Sequence, residues 1–276
     1  MFKNKTRVII GLTTYYTENL IVSLSGILRL GRRTALVIHN DNPDVKITKR
    51  QIRRMGYRGE LHIINSQHNI GLLNSRLTII DYVRGHRLSG GWFVFVDDDD
   101  ILLNIDIPDV SDTHFAIIQN MIMIQACLVD VLRAMQNPDS IIVDGQNNIL
   151  VRPHIGLAGT LVRASEMFRL GTVLNFVRKE ISDITEGLTF RAPIDIMMWS
   201  ALNIIARYNN SDVAPIYMDT VNYIATNIDN VMTKYGVAIQ PSKDAQNKIA
   251  ATVSRYDNVV RNALPSVFAD ATGSAS

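Results

Sequence analysis

Apolar residues along the first hundred positions alternate between two periods. Arg7 to Leu12 is a short β-branched run closed by Thr13 and Thr14, and Glu18 to Leu30 repeats apolar residues at helical spacing through Leu20, Ile21, Leu24, Ile27 and Leu28. Thr34 to His39 reads as a second strand that ends at the turn Asn40-Asp41-Asn42-Pro43. A basic helix over Ile47 to Met55, a strand over Leu61 to Ile64, a helix over Asn74 to Val83 and a strand over Trp92 to Val96 follow. Strand–helix–strand alternation predicts βαβ units, hence an α/β fold with a mainly parallel sheet covered by helices. In open sheets of this kind ligands bind beyond the carboxyl ends of the strands. Those ends are Thr13–Tyr15, His39–Asp41, Asn65–Asn69 and Asp97–Asp100, and all four carry polar groups.

The second half is less regular. His114 to Met135 reads as a long helix, with the apolar stretch Met121–Leu132 as its buried face. Ser140–Val143 and Asn148–Val151 read as a hairpin around Asp144-Gly145. A glycine-containing strand over Ile155–Val162, a short helix over Ala164–Leu170 ending at Gly171, a helix over Ile194–Tyr208 and a strand over Val213–Met218 come next. A tail helix over Lys243–Arg261 shows few apolar positions, which leaves contact with a second copy or with a membrane surface open. Val267–Ser276 reads as a loose end. The boundaries expected are a nucleotide-binding half over residues 1–110, an acceptor-side and catalytic half of the same domain over 111–240, and a tail over 241–276.

Composition changes this picture little. The chain has 276 residues, 47% of them hydrophobic, and a formal net charge of +2. That balance excludes the broad basic field of a general nucleic-acid binder. The single cysteine, Cys127, excludes a disulfide framework or a multi-thiolate zinc site within the chain. The start is too polar for a secretory leader, and no run approaches the roughly 20 apolar residues of a bilayer span. The expectation is a cytoplasmic protein, with contact at a membrane surface left open.

One local imbalance stands out against the near-zero net charge. Asp97-Asp98-Asp99-Asp100 directly follows the apolar strand Trp92–Val96. Four adjacent carboxylates repel one another unless they are solvated or neutralised by a cation. A hard divalent ion, Mg²⁺ or Mn²⁺, takes one or two carboxylates plus phosphate oxygens. Alternate residues at a strand end point to the same side, which makes Asp97 and Asp99 the natural pair.

With these residues in place, the chain resembles the GT-A glycosyltransferases, in particular the family 2-like group, whose DxD motif follows such a strand. The match runs in order over residues 7–103 and more loosely afterwards. Ile9 to Tyr16 resembles the family's opening strand and its Pro-Thr-Tyr-Asn end, with Thr13 for proline and Tyr16 for asparagine. Val37 to Asn42 resembles its Val-Val-Asp-Asp-Gly-Ser segment, and Asn69-Ile70-Gly71 with Ser75-Arg76 its Asn-x-Gly-x-x-x-Ala-Arg-Asn stretch. Asn137-Pro138-Asp139 fits a further family turn.

The resemblance implies a GT-A sheet with a smaller, mixed acceptor-side sheet, and transfer from a nucleotide-diphosphate sugar with UDP-sugar favoured. It implies nucleotide contacts at Thr13, Thr14, Tyr15, Asn40, Asp41, Asn69, Arg76, Asp97 and Asp98, and Mn²⁺ or Mg²⁺ on Asp99 and Asp97. It also implies a general base at the start of a helix. Asp195, in Arg191-Ala192-Pro193-Ile194-Asp195, aligns with the second acid of the family's Glu-Asp-x-x-Leu helix start. A carboxylate near a helix N-terminus equally serves the helix dipole. His154, Gly159 and Trp199 are candidates for the acceptor side, beside ordinary packing roles. Asp183 and Glu186, in a polar stretch Ser182–Thr189 that reads as a lid, are spare candidates for the base. The acceptor implied is a glycan, lipid or protein hydroxyl, and a homo-oligomer is open.

Two other readings compete. A haloacid-dehalogenase-like phosphatase would use Asp97 as nucleophile and Asp99 as acid/base, but that family sets the motif on an early strand. A non-catalytic nucleotide- or carbohydrate-binding module would keep the fold without turnover. Finally, Val45 to Arg58 concentrates basic residues. Such a run either faces an anionic acceptor or membrane surface or is a solvated face, the commoner use of charge runs.

Overall fold

The computed structural model describes residues 7–88, 90–124, 149–153, 156–185, 193–208, 210, 212–226 and 243–272. Nine strands among them form one sheet in the order β3-β2-β1-β4-β8-β6-β9-β5, with β7 paired to β6. The strands are β1 Val8–Thr14, β2 Thr34–Asn40, β3 Glu60–Asn65, β4 Trp92–Asp97, β5 Ile101–Leu102, β6 His114–Ile124, β7 Ile149–Pro153, β8 Leu161–Arg163 and β9 Ala214–Thr226. The helices are α1 Leu20–Ile27, α2 Lys49–Arg54, α3 Gly71–Gly85, α4 Ala164–Phe176, α5 Arg178–Thr185, α6 Pro193–Arg207 and α7 Lys243–Thr272.

The first four strands run parallel, β1 lying between β2 and β4. Every residue of β1 and β2 is buried, as expected of parallel strands covered on both faces. One face packs on α1 and α2 through Leu20, Leu24, Ile27 and Ile52. The other carries α3 to α7, through residues such as Leu77, Leu170, Ile181, Leu202 and Tyr256. The mixed half continues the same sheet: β8 pairs antiparallel with both β4 and β6, and β6 runs parallel to β9.

Several expectations are corrected here. His114–Ile124 is a strand, not the start of a long helix, and residues 125–135 lie outside the described ones. Its apolar residues serve both faces, Phe115 and Ala116 one core and Ile117 and Met121 the other. A run apolar on every side does not distinguish a buried strand from a buried helix by period. Asn148–Val151 corresponds to β7, which pairs with β6, while 140–148 lie outside the described residues.

Helix α4 does not stop at Gly171 but continues to Phe176. A Cβ at Gly171 would stand 2.7 Å from Ile80 Cγ2, so the glycine lets α4 close on α3. Ser182–Thr185 belong to helix α5 rather than to a lid, and 186–192 lie outside the described residues. The tail is helical to Thr272, not loose from Val267. Its face Tyr256, Val260, Ala263 and Leu264 is buried in the same core as α4, α5 and α6.

Candidate functional site

The alternation of the parallel strands sets which side chains meet. Thr13 pairs with His39 on one side and Asp97 on the other, so the three lie in one row across adjacent strands at the carboxyl edge. Side chains two residues back in that row, Gly11, Val37 and Phe95, are in the layer covered by α3: Val37 and Phe95 share a core with Leu77, and Gly11 faces Ile79. Arg76 enters this layer from the second turn of α3.

Arg76 is fully buried and joins two halves of the molecule. Its Nη2 donates to Asp97 Oδ1 at 3.0 Å and to Oδ2 at 3.3 Å, and its Nη1 donates to Asp195 Oδ1 at 2.7 Å. The guanidinium carbon lies 5.3 Å from the centre of the Phe95 ring, a cation–π distance. Burial alone would lower the Arg76 pKa; Asp97 and Asp195 outweigh it and raise the value above the ordinary range. Asp195 stands in the first turn of α6. Its carboxylate also accepts from Leu157 N–H at 3.0 Å on Oδ2 and from Ala158 N–H at 2.9 Å on Oδ1. Three N–H groups fix its plane, and about a quarter of the side chain stays exposed.

The acidic turn after β4 is held by partners from both halves. Thr13 Oγ1 donates to Asp97 at 3.2 Å. Asp98 Oδ2 accepts from Thr14 Oγ1 at 2.7 Å and from the N–H groups of Tyr15 and Tyr16 at 3.2 Å. Burial pushes the Asp98 carboxyl up to about 6, the Thr14 hydroxyl works against that, and the charge of Asp97 adds to it. Asp100 is buried and accepts from Tyr223 Oη of β9 at 2.8 Å. The Tyr223 ring lies over Gly159, where a Cβ would stand 2.7 Å from the ring and where φ is +78°, a conformation open to glycine.

Asp99 differs from its neighbours. Burial first, then the charges of Asp98 and Asp97, push its carboxyl well above the usual range. Among the described residues no three His, Cys, Asp or Glu side chains form a preformed metal cage. The donor set nevertheless suits a hard cation that takes one or two carboxylates and completes its shell with phosphate and water: Asp99 with Asp97, in a turn whose crowded negative charge a cation would relieve.

Asp41 is buried, and its two oxygens accept from the N–H groups of Ile70 and Gly71, both at 2.8 Å, at the start of α3. Gly71 has φ +78° there, and Asn69 Oδ1 accepts from the same Gly71 N–H at 3.0 Å. Asn40 is fully buried and donates to Asn65 Oδ1 at 3.0 Å, within the loop scaffold. Tyr15 is exposed at the rim, edge-on to Tyr16. Trp199 stacks on Phe115 with ring centres 6.1 Å apart and packs on the main core. Asp183 is exposed on α5, while His154, Glu186 and Asn137–Asp139 lie outside the described residues.

Thr13, Thr14, Arg76, Asp97, Asp98 and Asp195 are thus one hydrogen-bonded assembly, and Asp41 with Asn69 is a second. Tyr223, His39 and the backbone N–H groups of Leu157 and Ala158 escaped the sequence. Tyr223 lies in the part of β9 beyond Met218, where the strand expected from sequence ended, and a backbone donor carries no residue signal. His39 is buried, with Nδ1 making no hydrogen bond. The one hint for it was its place at a strand's carboxyl end.

No family model matches this chain, and no curated protein does. Among solved structures, the chain is similar to S. aureus TarS 1–349, at 14% identity over 95% of this chain and 72% of that one, with a TM-score of 0.47. It is also similar to the mannosyltransferase PcManGT from Pyrobaculum calidifontis, solved with GDP-Man and Mn²⁺, at 11% identity over 99% and 76%, with a TM-score of 0.43. A third, the glycosyltransferase GlyE of Streptococcus pneumoniae, is 8% identical over 95% and 64%, with a TM-score of 0.38. No helix among the described residues is long and apolar enough to cross a membrane.

Proposed function

We propose that this chain is an inverting, divalent-metal-dependent glycosyltransferase. It moves a sugar from a nucleoside-diphosphate sugar, UDP-sugar favoured, to a hydroxyl of a glycan, lipid or protein. The observation that carries the reading is the Asp97–Arg76–Asp195 bridge: one buried guanidinium ties the acidic turn of the parallel half to a carboxylate of the other half. Donor and acceptor chemistry then face each other across a fixed separation, which is what positioning requires.

Asp99 and Asp97 would hold Mn²⁺ or Mg²⁺, which when bound stabilises the charge of the departing diphosphate. Thr13, Thr14, Tyr15 and Asp41 line the nucleotide side. Asp195 takes the proton of the acceptor hydroxyl through Oδ2, the oxygen with a single N–H donor. Removing that proton as the C–O bond forms on the face opposite the leaving diphosphate inverts the anomeric centre. Gly159 and Trp199 flank the acceptor side.

A second role for Asp195 is favoured by its three N–H donors: it positions Arg76 and takes no proton. Donor binding to Asp195→Asn separates the two. Binding of a nucleotide sugar with Mn²⁺, read as a thermal shift, persists in the variant while transfer is lost if Asp195 is the base. Binding and transfer fall together if it positions Arg76. A screen of nucleotide sugars with and without Mn²⁺ that gives no shift for any of them overturns the transferase reading itself. An aspartyl-phosphate trapped at Asp97 would favour the phosphatase.

A further inference from the structure

The face formed by α1, α2 and the loop entering α2 has two properties that do not belong to the site above. The first is charge. From Val45 to Gly59 the chain carries Lys46, Lys49, Arg50, Arg53, Arg54 and Arg58 and no acidic residue. Arg53 and Arg58 are spent on backbone carbonyls of Tyr57, Gly59 and Arg53. Lys46, Lys49, Arg50 and Arg54 are exposed, and no carboxylate among the described residues pairs with them.

The second property is exposed apolar surface among those charges. Val45 and Met55, within that basic segment, are each 39% exposed, and Ile21, next to Leu20 on α1, is 65% exposed. Val45 and Met55 line an open groove of about 320 Å³, with Leu20, Ile47 and Ile52 at its floor and Arg54 at its edge. Val45 and Met55 share one groove with Arg54, so they form a patch beside the cations rather than scattered exposed residues. A bilayer with anionic headgroups satisfies both properties, because apolar side chains enter the headgroup–acyl boundary while Lys and Arg meet lipid phosphates.

We propose that this face docks on an anionic lipid bilayer, with Ile21, Val45 and Met55 inserted and Lys46, Lys49, Arg50 and Arg54 at the phosphate plane. The inference does not depend on the transferase reading, since none of its residues belongs to the site.

Co-sedimentation of the full chain with vesicles tests it. The chain partitions onto mixed phosphatidylglycerol–phosphatidylcholine vesicles, not onto pure phosphatidylcholine, and the partition weakens as salt rises. Arg50→Gln with Arg54→Gln weakens it roughly 25-fold, at about fivefold for each charge removed. Ile21→Ser with Met55→Ser, which leaves every charge in place, reduces the fraction that survives high salt. All four positions are exposed, and an unchanged thermal melt confirms that each variant is folded. Equal partition onto both vesicle types, or no effect of the arginine pair, overturns the proposal. It also fails if soluble polyglutamate displaces the chain fully while the Ile21/Met55 variant partitions like the parent, which would make this a polyanion-binding face.

Discussion

Two carboxylate sites occupy the same edge of the same parallel sheet, one after β2 and one after β4, and they are finished differently. Each oxygen of Asp41 accepts from one backbone N–H group at the start of α3, from Ile70 and Gly71. The turn after β4 gathers four carboxylates, and the donors that meet them include the Arg76 guanidinium, the hydroxyls of Thr13, Thr14 and Tyr223 and the backbone N–H groups of Tyr15 and Tyr16. At the first site the carboxylate holds the start of α3. The second crowds carboxylates whose charges push one another up, Asp99 most of all, and that crowding marks it as a place for a cation. Acidity at a strand end is therefore not the informative feature; the balance of donors against carboxylates is.

The largest effect is expected from removing the Arg76 guanidinium, which pairs with Asp97 at the second site. Arg76→Met keeps most of the side-chain volume over Phe95 and leaves Asp97 and Asp195 without their shared partner. Taking one member from a buried ion network leaves uncompensated charge and costs about 3–5 kcal/mol. Urea unfolding should show that loss as a lower midpoint at constant slope. Arg76→Lys should recover only part of it, because a single ammonium lacks the fork that reaches both acids. A loss below about 1 kcal/mol would mean that solvent reaches the bridge.

The crowding at Asp99 is tested by the opposite sign of effect. Asp99→Asn removes one of three crowded charges, so the metal-free protein should be no less stable than the parent, and slightly more stable if repulsion dominates. With Mn²⁺ at a hundredfold excess over its dissociation constant the parent gains about 2.7 kcal/mol, and the variant should gain none. A parent without any Mn²⁺-dependent shift in its melting temperature would remove the contrast between the two sites.

Asp41→Ala should follow with a smaller loss, about 1–2 kcal/mol, comparable to losing a helix cap. That loss should be indifferent to Mn²⁺. A metal-dependent loss at Asp41 would join the two sites into one.

Much of the parallel half was legible because its signals are local: short apolar strands, turn residues at their ends, helical spacing between them. The acidic turn, the strand end at Thr13–Thr14 and the helix bearing Arg76 all follow from it. The mixed half hid itself for a physical reason. Strand β6 is paired on both edges, and Phe115–Gln119 are buried on whichever face they lie, so this stretch shows no alternation, and a helix fits the pattern as well. The partners of Arg76 were illegible for another reason. Asp97 lies 21 residues away and Asp195 119 residues away, and nothing in the pattern of either segment announces the other. Asp100 and Tyr223 are the same case, at a separation of 123.

The smallest effect concerns His39, which lies in the row with Thr13 and Asp97 but has no share in their hydrogen bonds. Burial lowers its pKa below the ordinary 6.5, and the nearby charge of Asp41 offsets that only in part. Below pH 6.5 the unfolded chain therefore binds a proton that the folded chain resists, so stability falls as pH drops through that range and is regained above it. His39→Gln should flatten this slope, read as the difference in unfolding free energy between neutral and mildly acidic pH. It should leave the Mn²⁺-dependent shift at the acidic turn intact. An unchanged slope would mean that the charge of Asp41 cancels the effect of burial and leaves His39 with its unfolded-state pKa, which would bring the carboxylate after β2 into electrostatic contact with a residue of the Thr13–Asp97 row.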